Sequence, residues 1–155
     1  GVNVQLKGNA VHFENRLLLN KGSKAVFEVT GTTAFGTETQ KMRVFLVMPK
    51  QGDEAASADV DFPGKIVAKH VFTKEEIEAY VAYTGDENIV HKGERPLVPG
   101  LCMAYYLQQC FGLSQLEWRI AFKSPVYAND ELVVYSKEGQ LAAYVHDKVA
   151  FVIKF

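Results

Sequence analysis

The segment 83–91 reads YTGDENIVH and contains residue types that could carry out acid–base chemistry. Asp86 and His91 can each take and return a proton, and histidine titrates close to neutral pH. Asp86 and Asn88 are also typical turn residues, because Asp, Asn and Gly tolerate unusual backbone angles and bond their own main chain. The segment is therefore either a polar turn or a catalytic Asp/His pair.

A helix is predicted directly before this segment. Thr73 and Glu76 have the spacing of a capping box, in which each side chain bonds the other residue's backbone N–H. One face then recurs at helical spacing and consists of Ile77, Tyr80, Val81 and Thr84. Gly85 is a typical helix end. Asp86 would therefore directly follow the C-terminal end of this helix.

A second helix is predicted from Pro99 or Gly100 to Phe111, with the sequence GLCMAYYLQQCF from Gly100 onward. It is apolar on nearly every side, which is typical of a helix buried at the centre of a domain. One of its faces consists of Leu101, Ala104, Tyr105 and Gln108. Its first turn offers unpaired backbone N–H groups that could stabilise a developing oxyanion. An Asp/His pair beside such a helix supplies what water addition to an activated double bond needs.

The remainder of the chain is predicted to form strands. The strand-like segments are 11–19, 24–32, 39–49, 116–126, 131–139, 140–147 and 148–155. The stretch 49–64, PKQGDEAASADVDFPG, is small and polar and indicates a linker or a long surface loop. The expected architecture is α+β, with an antiparallel sheet wrapped around the buried helix.

The sequence of the N-terminal strand segments weakly resembles that of the C-terminal ones. HFENRLLLNKGSKAVFEVTG can be laid over AFKSPVYANDELVVYSKEG with a small gap, so that Phe13 meets Phe122 and Asn20 meets Asn129. Because any two hairpins share turn chemistry, a duplication and a chance match are both open interpretations. A duplication would make the N-terminal copy incomplete, since no counterpart of the buried helix precedes it.

FTKEEIEAYVAYTGDENIVH, followed by VPGLCMAYYL, resembles the MaoC-like family, the (R)-specific enoyl-CoA hydratases and dehydratases of the hotdog fold. The family motif is an aromatic and a small residue, then Gly-Asp-x-Asn-Pro-x-His, and later a glycine that opens the central helix. The matching positions are Tyr83, Gly85, Asp86, Asn88, His91 and Gly100-Leu101-Cys102. The resemblance covers Phe72 to about Phe111 by motif and the strands to Phe155 by general pattern.

The resemblance implies that Asp86 and His91 form a catalytic dyad, which handles water and the proton at the carbon next to a thioester. Asn88 would orient His91 or the loop. The backbone N–H of Gly100, at the helix start with Leu101 and Cys102, would hold the thioester carbonyl oxygen.

The same resemblance implies an acyl-CoA or acyl carrier protein thioester as substrate, no cofactor, no metal ion and a homodimer or a fused double hotdog. It divides the chain into a β-rich segment 1–50, a linker or long loop 51–64 and a hotdog domain 65–155. The first segment would be a degenerate half-repeat that shapes the acyl pocket.

The match departs from the family at several places. Ile89 stands where the motif has proline, Gly93 where an acidic residue is common, and Pro99 where a histidine often precedes the helix glycine. The connection from His91 to Gly100 is also shorter than the family's, and that connection usually covers the active site. The sequence favours a hydratase or dehydratase. It leaves open a thioesterase of the same fold and a non-catalytic acyl-binding or dimerisation module.

The composition of the 155-residue chain argues against other classes of protein. Its 17 basic and 18 acidic residues give a net charge of −1, so nothing indicates a nucleic-acid or membrane-surface partner. No apolar run approaches the roughly 20 residues of a membrane span. The first residues, GVNVQLKGNA, show no secretory pattern, and a cytoplasmic location is expected. Because no initiator Met is present, a piece of a longer chain is one interpretation.

Cysteines and the other histidines give no further site in the sequence. Cys102 and Cys110 would lie roughly 12 Å apart along the helix axis, too far for a disulfide, so both are predicted to be reduced core thiols. His12, His70 and His146 are predicted to be unpaired, and no spacing indicates a metal site. Basic residues that could contact substrate phosphates are Lys65, Lys69, Lys92 and Arg95.

Overall fold

Nine antiparallel strands form one continuous sheet in the computed structural model, which describes residues 1–47, 63–113 and 117–155. The strands are β1 Val2–Leu6, β2 His12–Lys21, β3 Lys24–Thr32, β4 Glu38–Val47, β5 Lys65–Val71, β6 Glu117–Phe122, β7 Glu131–Lys137, β8 Gln140–Val145 and β9 Lys148–Lys154. The helices are α1 Lys74–Thr84 and α2 Gly100–Phe111, and a 3₁₀ turn spans Ile89–His91. An antiparallel sheet with a central helix is the α+β architecture that the sequence predicts.

Both predicted helices are present, and local signals explain where they begin and end. The Glu76 N–H donates to Thr73 Oγ1 at 3.1 Å, and the Thr73 N–H donates to Glu76 Oε2 at 2.9 Å, so the capping box forms. Gly85 has φ 68° and Gly112 has φ 62°. Glycine adopts this left-handed conformation without the strain that a side chain would bring, and so ends each helix.

Two strands were not identified in the sequence. In β5 the apolar residues Ile66, Val67 and Val71 do not alternate strictly, and all three are substantially exposed because β5 lies at the sheet edge. β1 alternates but has only 5 residues, which is a weak signal. Most of the predicted linker 51–64, namely positions 51–62, lies outside the described residues.

The sheet joins an N-terminal and a C-terminal half through β1 and β6. The strand order is β2-β3-β4-β1-β6-β9-β8-β7-β5. At the junction Val2 pairs with Ile120, and Val4 pairs with Trp118. From the junction outward the two halves show the same succession of strands, with β5 as an addition to the C-terminal half. A degenerate half-repeat predicts this topology, while the division of the chain into two domains stays a prediction.

The strand order pairs the two halves differently from the sequence overlay. By position in the sheet, β1 corresponds to β6 and β2 corresponds to β7. Phe13 lies in β2 and Phe122 lies in β6, so the predicted match between these residues is wrong. Turn residues recur at every hairpin tip, and they produced the false register.

Helix α2 packs against the sheet through part of its surface. Its buried residues are Cys102, Met103, Ala104 and Leu107. They belong to one apolar core with Val2, Val4, Trp118 and Ile120 from the junction strands. Contrary to the sequence pattern, one face is not buried, since Leu101 is 38% and Tyr105 is 59% exposed. Among the described residues the N-terminal half contributes no helix that could cover this face.

Helix α1 depends on one buried anchor. Among its 11 residues, all of them described, only Ile77 is buried, and it is fully inaccessible to solvent. We predict that Ile77→Ala lowers the free energy of unfolding by about 2–5 kcal/mol, the usual cost of emptying a core isoleucine site. Urea denaturation measures this change. Tyr83→Ala, on the same helix but 92% exposed, should change stability by less than about 0.5 kcal/mol. Equal losses in the two variants would contradict the assignment of Ile77 as the anchor.

Candidate active site

The loop after α1 is held by its own polar groups. The Asn88 N–H donates to Asp86 Oδ1 at 2.9 Å, and the Val90 N–H donates to Asn88 Oδ1 at 3.3 Å. Asn88 thereby caps the 3₁₀ turn that ends at His91. Its contacts hold the loop, and they are the bonds expected of a polar turn. These bonds also bring Asp86 and His91 to the same place.

The imidazole of His91 is buried and has a defined orientation. Its Nδ1 lies 2.7 Å from the backbone oxygen of Leu97. A carbonyl oxygen can only accept a hydrogen bond, so Nδ1 carries the proton in the neutral imidazole and Nε2 does not. Nε2 lies 3.6 Å from Asp86 Oδ2, beyond the usual range of a direct hydrogen bond. The carboxylate side chain is 35% exposed, so the pair is accessible from the Asp86 side.

The short connection between His91 and α2 is closed by backbone hydrogen bonds. The Leu97 N–H donates to the Val90 oxygen at 2.9 Å, the Val98 N–H to the Val126 oxygen at 2.8 Å, and the Ala128 N–H to the Pro96 oxygen at 2.9 Å. These bonds fix the Leu97 carbonyl that orients His91. They also lead the chain directly into the first turn of α2.

The first turn of α2 leaves backbone N–H groups ahead of the helical hydrogen-bond ladder. The Met103 N–H donates to the Pro99 oxygen at 3.2 Å, and Pro99 provides no side-chain cap. The N–H groups of Gly100, Leu101 and Cys102 precede that bond. A Cβ atom at position 100 would lie 3.0 Å from the Phe122 ring, so glycine allows the ring to pack against the helix start.

The two cysteines differ in environment, and both are free. Cys102 is buried as predicted, whereas Cys110 is exposed, because the last turn of α2 presents it to solvent. Burial, and then the negative charge of Glu76, raises the pKa of the Cys102 thiol to about 11. At neutral pH this thiol is therefore protonated and a poor nucleophile.

Tyr80 lies near the dyad, although the sequence indicated only that it belongs to a helix face. Burial raises the pKa of its hydroxyl, and the nearby Cys102 and Asp86 raise it further. Tyr80 also lines a cavity between α2 and the N-terminal half of the sheet. Its place in the capped helix α1 is predictable, and Asp86 directly follows the end of that helix. Its position on the cavity wall depends on how α1 packs.

Two cavities flank the first turn of α2. One, the sheet cavity, has a volume of about 280 Å³ and is lined by Val4, Leu6, Phe13, Val29, Met42, Tyr80, Leu101, Ala104, Tyr105, Gln108 and Trp118, among others. The other, the loop cavity, has about 720 Å³ and is lined by Val44, Phe45, Leu97, Val98, Gly100, Leu101, Met103, Phe122, Lys123, Ser124 and Val126, among others. Neither lining includes Asp86 or His91. Tyr80 lines the first cavity, and Leu97, whose backbone oxygen bonds His91, lines the second.

A second charged cluster anchors the loop that orients His91. Asp130 is buried and accepts from Arg95 at 3.3 Å, from His146 at 3.1 Å and from the Tyr127 N–H at 3.1 Å. Arg95 also lies over the Tyr127 ring at 4.6 Å. The prediction that His146 is unpaired is therefore wrong. No local sequence pattern indicates this cluster, because its members come from three separate turns.

The other predicted charged residues are dispersed. Lys69 lies 4.0 Å from Glu131, and Lys65 and Lys92 are exposed. His70 stacks on Tyr106 with 4.2 Å between ring centroids, so it is not isolated either. In the ranges that the structure describes, no three His, Cys, Asp or Glu side chains converge as metal ligands. No described helix is long and apolar enough to cross a bilayer.

The charge of Asp130 makes the anchoring cluster sensitive to acid. Burial would raise the pKa of Asp130, but hydrogen bonds from His146, the Tyr127 N–H and Arg95 outweigh burial and lower it. Such a carboxylate stabilises the fold above its unfolded-state pKa of about 4, and this contribution is lost as the pH falls through the folded value.

We therefore predict that Asp130→Asn lowers stability at pH 7 by about 1–3 kcal/mol, and that the difference from the native chain closes below about pH 4. Thermal unfolding across a pH series measures this. Asp147→Asn, at an exposed turn, is the control and should show no such convergence. A difference for Asp130→Asn that stays constant down to pH 2 would contradict the role of its charge.

Comparison with known proteins identifies the fold. No family model matches the chain. No curated protein matches it. Among solved structures, peroxisomal multifunctional enzyme type 2 from Drosophila melanogaster aligns with a TM-score of 0.62 and 14% identity, over 98% of this chain and 35% of that one. A MaoC-like dehydratase from Phytophthora capsici aligns with a TM-score of 0.62 and 15% identity, over 99% and 67%.

The same architecture also occurs in a thioesterase. An acyl-ACP thioesterase from Bacteroides thetaiotaomicron aligns with a TM-score of 0.58 and 12% identity, over 98% of this chain and 72% of that one. At such identities the likeness establishes the fold, and the chain spans only 35% of the Drosophila enzyme. The resemblance to MaoC-like proteins is thus confirmed at the level of the fold: this chain has the α+β hotdog fold that the MaoC-like dehydratases share.

Proposed function

We propose that the chain is a hydratase or dehydratase of acyl thioesters, which adds or removes water across the double bond next to the carbonyl. The observation that carries this proposal is the dyad, in which His91 Nε2 lies 3.6 Å from Asp86 Oδ2 while Nδ1 bonds the Leu97 carbonyl. With the imidazole neutral, the two facing atoms are both hydrogen-bond acceptors. The fold shared with solved MaoC-like dehydratases supports the same reaction.

A water molecule suits this pair of acceptors. Because it has two protons, it can donate one hydrogen bond to Asp86 Oδ2 and another to His91 Nε2 across the 3.6 Å separation. Its oxygen lone pairs then point away from the dyad toward a substrate. The partial exposure of Asp86 lets water reach the pair, while the burial of His91 preserves the orientation of the imidazole.

In the hydration direction, the water oxygen forms a bond to C3 of a 2-enoyl thioester as one of its O–H bonds breaks. That proton goes to the dyad, and the π electrons move toward C2 and the carbonyl oxygen. Backbone N–H groups at the start of α2, with Gly100 first, stabilise the negative charge on that oxygen. The dyad returns one proton to C2, so its own proton count is unchanged. Dehydration follows the same steps in reverse.

The sheet cavity supports an acyl substrate, either a CoA or a carrier-protein thioester. Most of its lining residues are apolar, and an apolar chain gains roughly 25 cal/mol for each Å² that it removes from water. Tyr80 lines this cavity, and the negative charge of Asp86 is one cause of the raised pKa of its hydroxyl. On this proposal, the N-terminal half-repeat has lost its helix and forms the far wall of an acyl pocket.

A thioesterase is the second candidate, because a solved acyl-ACP thioesterase shares the fold. Water held by the same dyad would then attack the carbonyl carbon, and the C–S bond would break to release a free thiol. Cys102 is a poor nucleophile for a covalent route, since burial raises its pKa to about 11. Release of thiol therefore separates the two candidates experimentally.

We predict that the native chain removes the conjugated enoyl absorbance of crotonyl-CoA or octenoyl-CoA without releasing thiol. Asp86→Asn and His91→Ala should each lower kcat/KM by at least about 100-fold, because each removes a proton-transfer group. Absorbance reports hydration, and a thiol reagent in parallel reports hydrolysis. His12→Ala and Asp147→Asn are matched controls, since both residues are exposed and lie outside the site.

The two readouts separate the candidates. Thiol release that needs the dyad would transfer the assignment to a thioesterase. Saturable acyl-CoA binding without turnover, in protein with native circular dichroism, would assign a non-catalytic binding module instead. Hydration that survives both dyad variants would refute the roles of Asp86 and His91.

A further inference from the structure

One residue separates the two cavities that flank the start of α2. Leu101 lines both the sheet cavity and the loop cavity, and no other described residue is shared by their two linings. It directly follows Gly100, and it is 38% exposed. Any molecule that extends from one cavity into the other at the helix start must therefore pass Leu101.

The two cavities differ in what they could hold. The sheet cavity has mostly aliphatic and aromatic walls, with Gln40, Lys41 and Gln108 as its polar lining residues. The loop cavity is larger and carries Lys123 and Ser124 on one side. The first environment suits a hydrocarbon chain, and the second suits a longer arm with hydrogen-bonding groups and negative charge.

We propose that Leu101 is the specificity-determining residue of this site, and that a bound thioester bends over it. The acyl chain occupies the sheet cavity, and the thiol-side arm lies in the loop cavity. The carbonyl is then adjacent to the backbone N–H of Gly100. This inference rests on the proposed function, and it adds the substrate class: thioesters of medium-length acyl chains.

The size of the sheet cavity sets that length. An engineered apolar cavity of about 150 Å³ binds benzene, so by comparison 280 Å³ accommodates an acyl chain of roughly ten carbons. A four-carbon chain would leave most of the cavity unfilled, and a twelve-carbon chain would exceed it. Enlarging Leu101 to phenylalanine would narrow the entrance to the sheet cavity. A longer acyl chain would then lose more binding contacts than a four-carbon chain, which fills little of that cavity.

Trp118 provides a direct reporter of occupancy. It is the only tryptophan in the sequence, it is buried, and it lines the sheet cavity. Saturated butyryl- and octanoyl-CoA have no double bond to hydrate, so their binding can be followed whether or not the chain is a hydratase. Tryptophan emission reports entry into the sheet cavity, and titration calorimetry gives the affinity.

We expect octanoyl-CoA to change Trp118 emission saturably and butyryl-CoA to leave it unchanged. Leu101→Phe should weaken octanoyl-CoA binding at least about tenfold and alter butyryl-CoA binding less than about twofold. Leu46→Phe is the matched control, because Leu46 is also exposed and lines only the loop cavity. It should not change the preference between the two chain lengths.

The proposal is overturned if the change in Trp118 emission is the same for both acyl-CoAs. It is also overturned if Leu101→Phe and Leu46→Phe change the ratio of octanoyl-CoA to butyryl-CoA affinity equally. A chain-length response that depends on Leu101, without any hydration of enoyl-CoA, would support the partition and refute the hydratase. Hydration of enoyl-CoA with no dependence on Leu101 would support the hydratase and refute the partition.

Discussion

The hydrogen bond between His91 Nδ1 and the Leu97 carbonyl, 2.7 Å long, is the constraint on which the candidate site depends. It places a proton on the inner nitrogen, so that in the neutral imidazole Nε2 is the base that faces Asp86. The Leu97 carbonyl is itself fixed, because the Leu97 N–H bonds Val90 and the Val98 N–H bonds Val126. The short connection is thus a tight loop that links His91 to the first turn of α2.

The second constraint is an asymmetry in the sheet. Both halves present an apolar face, but among the described residues only the C-terminal half contributes a helix to cover it. The face of α2 that carries Leu101 and Tyr105 therefore meets a bare sheet across a cavity. Farther out, Phe13 stays 61% and Leu17 54% exposed. Side chains that filled this space would stabilise the fold by additional packing. The open cavity therefore lowers the stability of the fold but leaves space that a ligand could occupy.

Features that depend on residues close together in the sequence could be predicted from it, and features that depend on distant residues could not. The capping box at Thr73, the helix end at Gly85 and the pairing of Asp86 with His91 involve neighbours in the chain, and all were anticipated. The cluster around Asp130 joins distant segments of the chain, so no local pattern indicates it. The overlay of Phe13 on Phe122 failed for the same reason, since turn chemistry fixes a hairpin but not its position in the sheet.

The most direct test of this account is the protonation state of His91. Nitrogen-15 NMR of the histidine side chains, with His91→Ala to assign the signals, distinguishes the two tautomers of a neutral imidazole. We predict that Nδ1 of His91 is protonated and Nε2 is not, and that the Nε2 signal shifts in the Asp86→Asn variant. A neutral His91 with its proton on Nε2 would contradict the proposed mechanism, because Nε2 would then donate a hydrogen bond where the mechanism needs an acceptor.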